Sequence, residues 1–376
     1  MCRLFAVTSQ TPLSPMVALE ALNLMKEGHD GSGVGLYLTD LAGDFEPYKD
    51  YPTLSGIFSN AGMKKLDDYM LARGFRPKFE RTIRPSKPAP AGTPRRDVYL
   101  ISVYDYPDDW KYLPKAEVRF RLMLTRVTLR QMGLEDGSMM VFSFWPDTIM
   151  LKEIGDPLAI ADYLDLSDRN ILARGMLAQG RQNTNYAITL YACHPFFVQG
   201  VASMTNGENT AFTPIREFLM SRQFPGYIGY QSDSEVFTHI LHYTYYNLGM
   251  GLEAYKHIIT PLRDDELARH PETSRLRLLK HTCRPLIIDG PNCVIGFTPD
   301  RTLFVVHDSK KLRPGIIGGK PGLYAVSSEL CGLDAAIPDR DRSEDFQPMK
   351  YDVAYVDNHR REIKTWNQWE PFTHPH

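Results

Sequence analysis

The strand-like segments of this chain come in groups, and helical segments lie between the groups. The strand-like segments fall mainly within residues 3–40, 186–205 and 293–328. Helical patterns occupy three other stretches, which are 116–132, 234–247 and 262–281. A parallel βαβ fold would instead alternate single strands with single helices. The grouping therefore predicts an α+β fold in which two sheets are covered by helices.

The composition argues against several classes of protein. Of 376 residues, 43 are basic and 45 acidic, and the formal net charge of −2 offers no field that would hold a polyanion. No apolar run approaches the roughly 18 residues of a membrane span, and the N-terminal segment lacks the pattern of a secretory signal. The five cysteines are odd in number and include no CxxC pair, which favours a reducing compartment over disulfides or a zinc site. The predicted location is the cytoplasm.

Two parts of the chain carry no recognisable motif. Within residues 45–135, a Pro-rich loop at 83–96 holds four prolines and four basic residues, which predicts an exposed loop or linker. The segment 346–376 is polar with interspersed aromatic residues, and we interpret it as a tail that wraps the surface. The loop and the tail are candidate partner surfaces, and the alternative for both is an ordinary solvated loop.

Cys2 is the first candidate for chemistry. Removal of Met1 would place a thiol and a free α-amino group on the same residue. The ordinary pKa of an α-amino group is about 7.7–8, so the amine can take the thiol's proton directly or through one water. The alternative is that an early cysteine is only a small apolar residue at the start of the first strand.

Asn206 and Gly207 form the second candidate group, directly after a strand-like run. An Asn side-chain amide and the backbone N–H of the following glycine can form a two-donor oxyanion hole, and glycine allows a close approach to the tetrahedral centre. The alternative is a plain Asn-Gly turn.

Two charged residues suit the binding of small ionic groups. Arg181 follows a glycine, and its guanidinium suits bidentate binding of a small carboxylate. Asp233 opens a helical segment and could bind an ammonium group. The alternatives are a surface ion pair for Arg181 and a helix N-cap for Asp233. His194, which is followed by Pro and Phe, is interpreted as structural.

Taken together, the order and spacing of these motifs resemble the glutaminase domain of class II glutamine amidotransferases, which are N-terminal-nucleophile hydrolases. The series runs from the N-terminal Cys through D-G-S-G, A-x-G-R-x-x-T-N, H-P-F and N-G-E to S-D-S-E. Later D-G-P, L-R-P and S-S-E motifs narrow the resemblance to the glutamate synthase type and partly to the amidophosphoribosyltransferase type. V-F-S-F-W and K-E-I-G-D-P resemble the stand-alone amidotransferase subunit of archaeal-type glutamate synthases. The resemblance covers residues 2–40 and about 140–335.

This resemblance implies a four-layer αββα N-terminal-nucleophile sandwich with insertions. Residues 2–345 would form the amidotransferase domain, with 45–135 as a less certain insertion and 346–376 as a C-terminal tail. Six residues receive roles from the family. Cys2 is the implied nucleophile, Asn206 and Gly207 the oxyanion hole, Arg181 the ligand of the glutamine α-carboxylate with Thr184 nearby, and Asp233 the ligand of the α-ammonium group.

The chain departs from the family at the arginine motif. The family usually has His two residues before the arginine, where this chain has Gln179. The residues after the arginine are commonly aromatic and small, where this chain has Gln182 and Asn183. Two alternatives to glutamine hydrolysis therefore stay open. One is an amidohydrolase acting on another γ-glutamyl or acyl amide, and the other is a catalytically silent scaffold.

The resemblance also implies a partner. In such enzymes, ammonia passes through a protein channel to a synthase site. This chain shows no cluster-type cysteine spacing and no convincing flavin or nucleotide motif. We therefore expect no cofactor in this chain, and we expect FMN and iron–sulfur clusters only on a synthase subunit that receives the ammonia.

Overall fold

The computed structural model describes residues 2–25, 27, 30–182, 189–210, 212–222 and 232–372. Within these ranges, the chain forms sixteen strands and ten α-helices. The strands are β1 (Arg3–Leu13), β2 (Val34–Gly43), β3 (Pro52–Phe58), β4 (Arg76–Ile83), β5 (Val98–Asp105), β6 (Met139–Pro146), β7 (Thr148–Glu153), β8 (Ile171–Gly180), β9 (Phe196–Val198), β10 (Val201–Gly207), β11 (Asn292–Phe297), β12 (Leu303–His307), β13 (Ile316–Lys320), β14 (Leu323–Ser327), β15 (Asp352–Val356) and β16 (Lys364–Asn367). The helices are α1 (Met16–Leu24), α2 (Asn60–Ala72), α3 (Lys115–Asp136), α4 (Pro157–Tyr163), α5 (Phe212–Ser221), α6 (Glu235–Tyr246), α7 (Leu252–Ile259), α8 (Asp264–Leu267), α9 (Thr273–Thr282) and α10 (Leu330–Ala336).

The first sheet has six antiparallel strands in the order β13-β14-β1-β8-β2-β7. β1 lies inside this sheet, which fits the complete burial of residues 4–7. The register places Arg3 opposite Gly180, and it places Val34 opposite the same glycine on the other side. The beginnings of β1 and β2 therefore lie beside the end of β8, at one edge of the sheet.

The second sheet has six antiparallel strands in the order β16-β15-β12-β11-β10-β9. Its side chains alternate between two hydrophobic cores, as strand geometry requires. Ile295 and Val305 belong to the core shared with the first sheet, whereas Val294 and Val306 belong to a second core shared with helices. The two large sheets therefore face each other across one core.

Helices cover the outer faces of both sheets. On the first sheet, α1 packs against β1 and β8 and also contacts α4 and α10. On the second sheet, α6 packs against β9 and β10, α7 packs against β15, and α5 contacts α6. The layers run helix, sheet, sheet, helix. This arrangement confirms the predicted four-layer αββα architecture.

β15 and β16 show that the segment after 345 is part of the second sheet. β15 pairs with β12, and β16 pairs with β15. Val353 and Trp366 are buried in the core beneath the helices. The interpretation of this segment as a surface tail is therefore wrong for 352–367. The segment reads as polar because β15 and β16 are short and each buries only a few side chains, so the composition did not predict the strands.

A third sheet occupies residues 52–146, a range that overlaps the predicted insertion. Its four antiparallel strands follow the order β4-β5-β3-β6, and α2 and α3 pack against it around a hydrophobic core of its own. This sheet contacts the first sheet through β3 and β6, which pack beside β7. Ser55 lies at that junction, where its hydroxyl accepts a hydrogen bond of 2.9 Å from the Met150 backbone N–H.

The Pro-rich loop is fastened to the body of the protein at several points. The Lys87 ammonium pairs with Asp162 and Asp165 at 2.8 and 2.7 Å. Arg96 donates two hydrogen bonds, of 2.8 and 3.0 Å, to the Glu153 carboxylate, whose side chain is 0% exposed. The Tyr99 hydroxyl donates a third hydrogen bond to the same carboxylate. The prediction of an exposed linker is therefore wrong at the C-terminal end of the loop, where a buried ion pair anchors it.

The structure also differs from the predicted secondary structure elsewhere. The helix predicted over 262–281 is two helices, α8 and α9, with Pro271 between them. Proline lacks a backbone N–H and disfavours helical geometry in the residue before it, so the helix is interrupted there. The run 186–192 was predicted as a strand, but its described part contains a short 3-10 helix at Leu190–Ala192.

An ion network joins the two large sheets at the end away from the start of β1. The Asp40 carboxylate, on β2 of the first sheet, pairs with the guanidinium of Arg360 at 2.8 Å. Lys49 lies 3.0 Å from the same carboxylate, and Arg301 lies 3.6 Å from it. Arg301 lies in the turn between β11 and β12, and Arg360 lies between β15 and β16, so both come from the second sheet. These contacts tie the sheets together at one end.

Ser59 caps α2, and its removal is expected to have a modest effect. The Ser59 hydroxyl accepts a hydrogen bond of 3.0 Å from the Gly62 backbone N–H. Loss of such a cap typically costs about 1 kcal/mol. We expect Ser59→Ala to lower the free energy of unfolding by that amount, which appears as a lower urea midpoint with an unchanged slope. Ser167→Ala, at an exposed serine, should change the free energy of unfolding by no more than about 0.5 kcal/mol. Equal midpoints for the two variants would contradict a capping role.

Candidate active site

A cleft of about 520 Å³ opens at the end of the two large sheets opposite the ion network. Five of the six residues singled out from the sequence line it, and they come from distant parts of the chain. These residues are Cys2, Arg181, Asn206, Gly207 and Asp233. The sixth, Thr184, lies outside the described residues. The structure therefore brings a thiol, a cation, a carboxylate and an Asn-Gly pair to one cavity.

Cys2 directly precedes β1, at one edge of the first sheet. The Gln182 backbone N–H lies 3.4 Å from its Sγ and donates a hydrogen bond to it. Burial raises the pKa of the Cys2 thiol, while the Gln182 N–H and the positive charge of Arg181 act in the opposite direction. The thiol is therefore kept protonated until a base removes its proton, although two nearby groups favour the thiolate.

The glycine-rich turn before β2 is shaped by a chain segment that crosses it. A Cβ atom on Gly33 would lie 2.2 Å from the Cys193 Sγ, and one on Gly35 would lie 1.6 Å from the His194 carbonyl oxygen. Only glycine allows this approach, so packing explains two of the three glycines in the D-G-S-G-V-G run. The Gly33 carbonyl in turn accepts a hydrogen bond of 2.8 Å from the Arg181 backbone N–H.

Arg181 follows the last residue of β8, and its side chain is buried, with the whole residue 6% exposed. Burial raises the pKa of the Cys193 thiol, and the nearby positive charge of Arg181 acts in the opposite direction. The alternative of a surface ion pair is therefore wrong, because the residue is inside the protein. A buried guanidinium in a cleft is suited to bind an anionic group of a ligand.

Asn206 and Gly207 end β10, opposite β11 in the second sheet. Asn206 is 2% exposed, and its side-chain Nδ2 has no hydrogen-bond partner among the described residues. Buried donors are nearly always paired, so this one indicates a ligand or water. A Cβ atom on Gly207 would lie 2.1 Å from the Pro291 carbonyl oxygen, so the close approach of the neighbouring chain requires glycine.

Asp233 precedes α6 without capping it. Its carboxylate accepts a hydrogen bond of 2.7 Å from the Asn209 backbone N–H, and the Ser234 hydroxyl lies 3.3 Å away. The N-cap residue of α6 is Ser234, and it has no side-chain cap bond. The N-cap alternative for Asp233 is therefore wrong. Burial raises the pKa of Asp233, and the hydrogen bond from Asn209 partly offsets this effect.

His194 and Gln179 form a buried support that connects β8 to β10. The Gln179 side-chain Oε1 accepts a hydrogen bond of 2.8 Å from the His194 backbone N–H. The His194 ring Nδ1 accepts one of 2.9 Å from the Thr205 backbone N–H, directly before Asn206. Burial lowers the pKa of His194 well below its ordinary value, so the ring is neutral and carries its proton on Nε2. The interpretation of His194 as structural fits these contacts, and Gln179 belongs to the same support.

Some residues that line the cleft have no predicted role in the sequence analysis. Arg313, Asn209 and Ser232 all contribute to its wall. The L-R-P motif pointed to Arg313, but nothing in the sequence indicated its distance from Cys2. Asn209 and Ser232 were not predicted because each is next to a charged residue in the sequence. Asn209 follows Glu208, and Ser232 precedes Asp233.

Comparisons with known proteins give distant similarities. No family model matches the chain. An uncharacterized protein from Archaeoglobus fulgidus is 25% identical over 351 residues, which covers 91% of this chain and 88% of that protein. A structure of glutamine phosphoribosylpyrophosphate amidotransferase from B. subtilis, in complex with ADP and GMP, aligns with a TM-score of 0.47 at 13% identity. A structure of the allosteric regulatory enzyme of purine biosynthesis aligns with a TM-score of 0.48 at 14% identity.

These two structures cover 97% of this chain, and the chain spans about half of their length, 49% in each case. Function is therefore inferred from the cleft itself. Among the described residues, no group of three or more His, Cys, Asp or Glu side chains is placed to hold a metal ion. In the same part of the chain, none of the helices has the length and apolar character needed to cross a bilayer.

Proposed function

We propose that this chain is a glutamine amidotransferase that hydrolyses L-glutamine to glutamate and ammonia through a thioester on Cys2. One observation carries the proposal: the Cys2 thiol lines the same cleft as the Asn206 Nδ2, which has no hydrogen-bond partner among the described residues, together with a buried cation and a buried carboxylate. A nucleophile beside a donor without a partner suits acyl transfer, because the tetrahedral intermediate carries a new negative charge.

Cys2 would act after removal of Met1. The free α-amino group takes the thiol proton, and the thiolate attacks the side-chain amide carbon of glutamine. Asn206 Nδ2 and the Gly207 backbone N–H donate to the oxyanion. The amine then returns the proton to the leaving nitrogen, and ammonia departs. Water, activated by the same amine, hydrolyses the thioester to glutamate and the free thiol.

Arg181 and Asp233 would select an α-amino acid. The substrate α-carboxylate would bind the Arg181 guanidinium, with Thr184 nearby, and the α-ammonium group would bind the Asp233 carboxylate. An ionised carboxylate has about four acceptor sites, so the contacts of Asp233 with Asn209 and Ser234 leave capacity for an ammonium donor. The opposite charges of Arg181 and Asp233 would bind the α-carboxylate and α-ammonium groups that all α-amino acids share.

We further propose that the ammonia is passed to a glutamate-synthase-like partner subunit. The acceptor chemistry, with its FMN and iron–sulfur clusters, would belong to that partner. The proposal rests on the motif resemblance to stand-alone amidotransferase subunits, and it is separate from the proposed hydrolysis of glutamine.

Intact-mass measurement after treatment with 6-diazo-5-oxo-norleucine tests the hydrolase proposal. This glutamine analogue alkylates a nucleophile that sits in a glutamine site. We expect a chain without Met1 that takes one adduct, blocked by excess glutamine but not by asparagine. Cys2→Ala should take none. Cys331→Ala is the matched control at another partly exposed cysteine, and it should be labelled like the wild type.

Other outcomes would contradict the proposal in different ways. A processed chain that takes no adduct would point to a different amide substrate. A chain that keeps Met1 and takes no adduct would favour the scaffold alternative, since the amine would then be misplaced.

A further inference from the structure

Three basic side chains are buried together behind the wall of the candidate active site. Arg126 and Arg130 lie on α3, and Lys152 lies on β7. They are 7%, 7% and 5% exposed. The first two come from the layer formed by the third sheet and the last from the first sheet, so the cluster lies where these two parts of the protein meet.

The cluster contains fewer negative than positive charges. Glu235 is its carboxylate, and it lies 3.6 Å from the ring Nε2 of His239. Lys152 donates a hydrogen bond to the Cys193 backbone carbonyl. Within the part of the chain that the structure describes, neither Lys152 nor Arg126 forms an ion pair with a carboxylate. Buried charges in proteins are normally paired, so a surplus of positive charge needs a counter-charge.

Several of these residues line one small cavity. The space measures about 20 Å³ and is bounded by the three cations, Glu235 and His239, with Phe142 and Phe196 among its apolar walls. A cavity needs roughly 10–15 Å³ to admit one water-sized particle. The space therefore holds one such particle, and it is too small for a phosphate, a sulfate or an amino acid.

We propose that this cavity is a binding site for a single small halide ion, chloride in the cell. One monovalent anion would bring the surplus positive charge of the cluster toward balance, and the size of the cavity selects a monatomic ion. The site is separate from the proposed glutamine site, and it does not depend on that function.

The effect of burial on the cations supports an anion in this place. Burial and the neighbouring positive charges lower the pKa of Lys152 to about 7, although Cys193 and Glu235 oppose this effect. The same causes lower the pKa of Arg126 to about 10. The charged forms of both side chains are therefore destabilised by burial, and a bound anion would stabilise them.

The cluster is connected to the cleft by backbone contacts. The Lys152 ammonium donates a hydrogen bond to the Cys193 backbone carbonyl, and the residue after Cys193 is His194. The His194 ring accepts a hydrogen bond from the backbone N–H of Thr205, the residue before Asn206. Glu235 follows Asp233 by two residues. An anion that fixes the cluster would therefore also fix the back wall of the cleft.

Anomalous scattering from bromide tests the site directly. The full-length protein would be purified and crystallised in sodium bromide, and data collected at the bromine edge. We expect one anomalous peak in the cavity, within contact distance of Arg126 and Lys152. The peak should disappear in Arg126→Met. It should persist in the matched control Arg121→Met, which replaces a partly exposed arginine of the same helix that pairs with Glu117.

Stability provides a second measurement that needs no crystal. At constant ionic strength, chloride would replace gluconate during urea unfolding. Above the dissociation constant, each tenfold rise in chloride should lower the unfolding equilibrium constant of the wild type about tenfold, because the ion binds only the folded state. Arg126→Met should show no such dependence, and Arg121→Met should follow the wild type.

Three results would overturn the proposal. The first is density in the cavity without an anomalous signal, which would identify a water. The second is a chloride dependence that Arg126→Met shares with the wild type. The third is a bromide peak that persists in Arg126→Met without any effect on stability, which would mark an adventitious ion only. If Arg126→Met does not fold, the wild-type bromide peak and its absence in Lys152→Met decide the question.

Discussion

Replacing Asn206 with alanine is expected to lower the turnover of glutamine by about 10²–10³-fold, with a much smaller change in KM. The Asn206 Nδ2 has no partner in the described structure, so it is free to donate to an oxyanion that exists only during the reaction. The loss therefore falls on the transition state, where one such donor is worth roughly 3–4 kcal/mol. Binding of the ground-state substrate depends instead on Arg181 and Asp233 in our proposal.

Steady-state ammonia release from glutamine measures this effect, with thermal unfolding as a check on folding. Asn206→Asp is the sharper variant, since it keeps the shape and replaces the donor with an acceptor, and we expect a loss at least as large. Asn247→Ala removes an exposed asparagine at the end of α6 and should be neutral. A turnover within threefold of the wild type in Asn206→Ala would exclude Asn206 as an oxyanion donor.

Replacing Arg96 with alanine is expected to destabilise the protein by about 3–5 kcal/mol, which is the usual cost of breaking a buried ion pair from one side. The Glu153 side chain is fully buried and receives two hydrogen bonds from Arg96. Without the guanidinium, its charge would be left in the interior, and the Tyr99 hydroxyl would be its remaining side-chain donor among the described residues. The same change would release the C-terminal end of the Pro-rich loop.

Urea unfolding measures this cost, and two companion variants isolate its cause. Arg95→Ala removes the neighbouring exposed arginine, and it should change stability by no more than about 0.5 kcal/mol. Combining Arg96→Met with Glu153→Met removes both charges, and it should recover most of the lost stability because no charge is then left unpaired. A double variant as unstable as Arg96→Ala would show that packing, not charge, dominates.

The layered fold could be predicted because it depends on patterns that are local in sequence. Strand-like and helical segments were visible in order, and α3 and α6 lie close to their predicted ranges. The strands β15 and β16 were missed because they are short, and because β15 is held in the sheet by β12, which is distant in sequence, while β16 is held by β15. The break at Pro271 could have been predicted from the proline alone.

The candidate site was predictable at the level of residue types but not of contacts. The motifs identified Cys2, Arg181, Asn206, Gly207 and Asp233, and the structure places these residues around one cleft. Their roles stay predictions. The contact between His194 and Thr205, and the Arg126 cluster, depend on segments that meet only in the folded chain, so no local pattern could reveal them.

Cys2 and Asn206 lie on different sheets, the thiol at the start of β1 and the amide at the end of β10. The gap between the proposed nucleophile and the proposed donor is therefore set by the thickness of the hydrophobic layer between the sheets, and by the ion network that joins their far end. This makes the interior a spacer as well as a source of stability. Residues such as Met204 and Ile295, which are buried in this layer, determine by their volume how far the Cys2 thiol and the Asn206 amide stand apart.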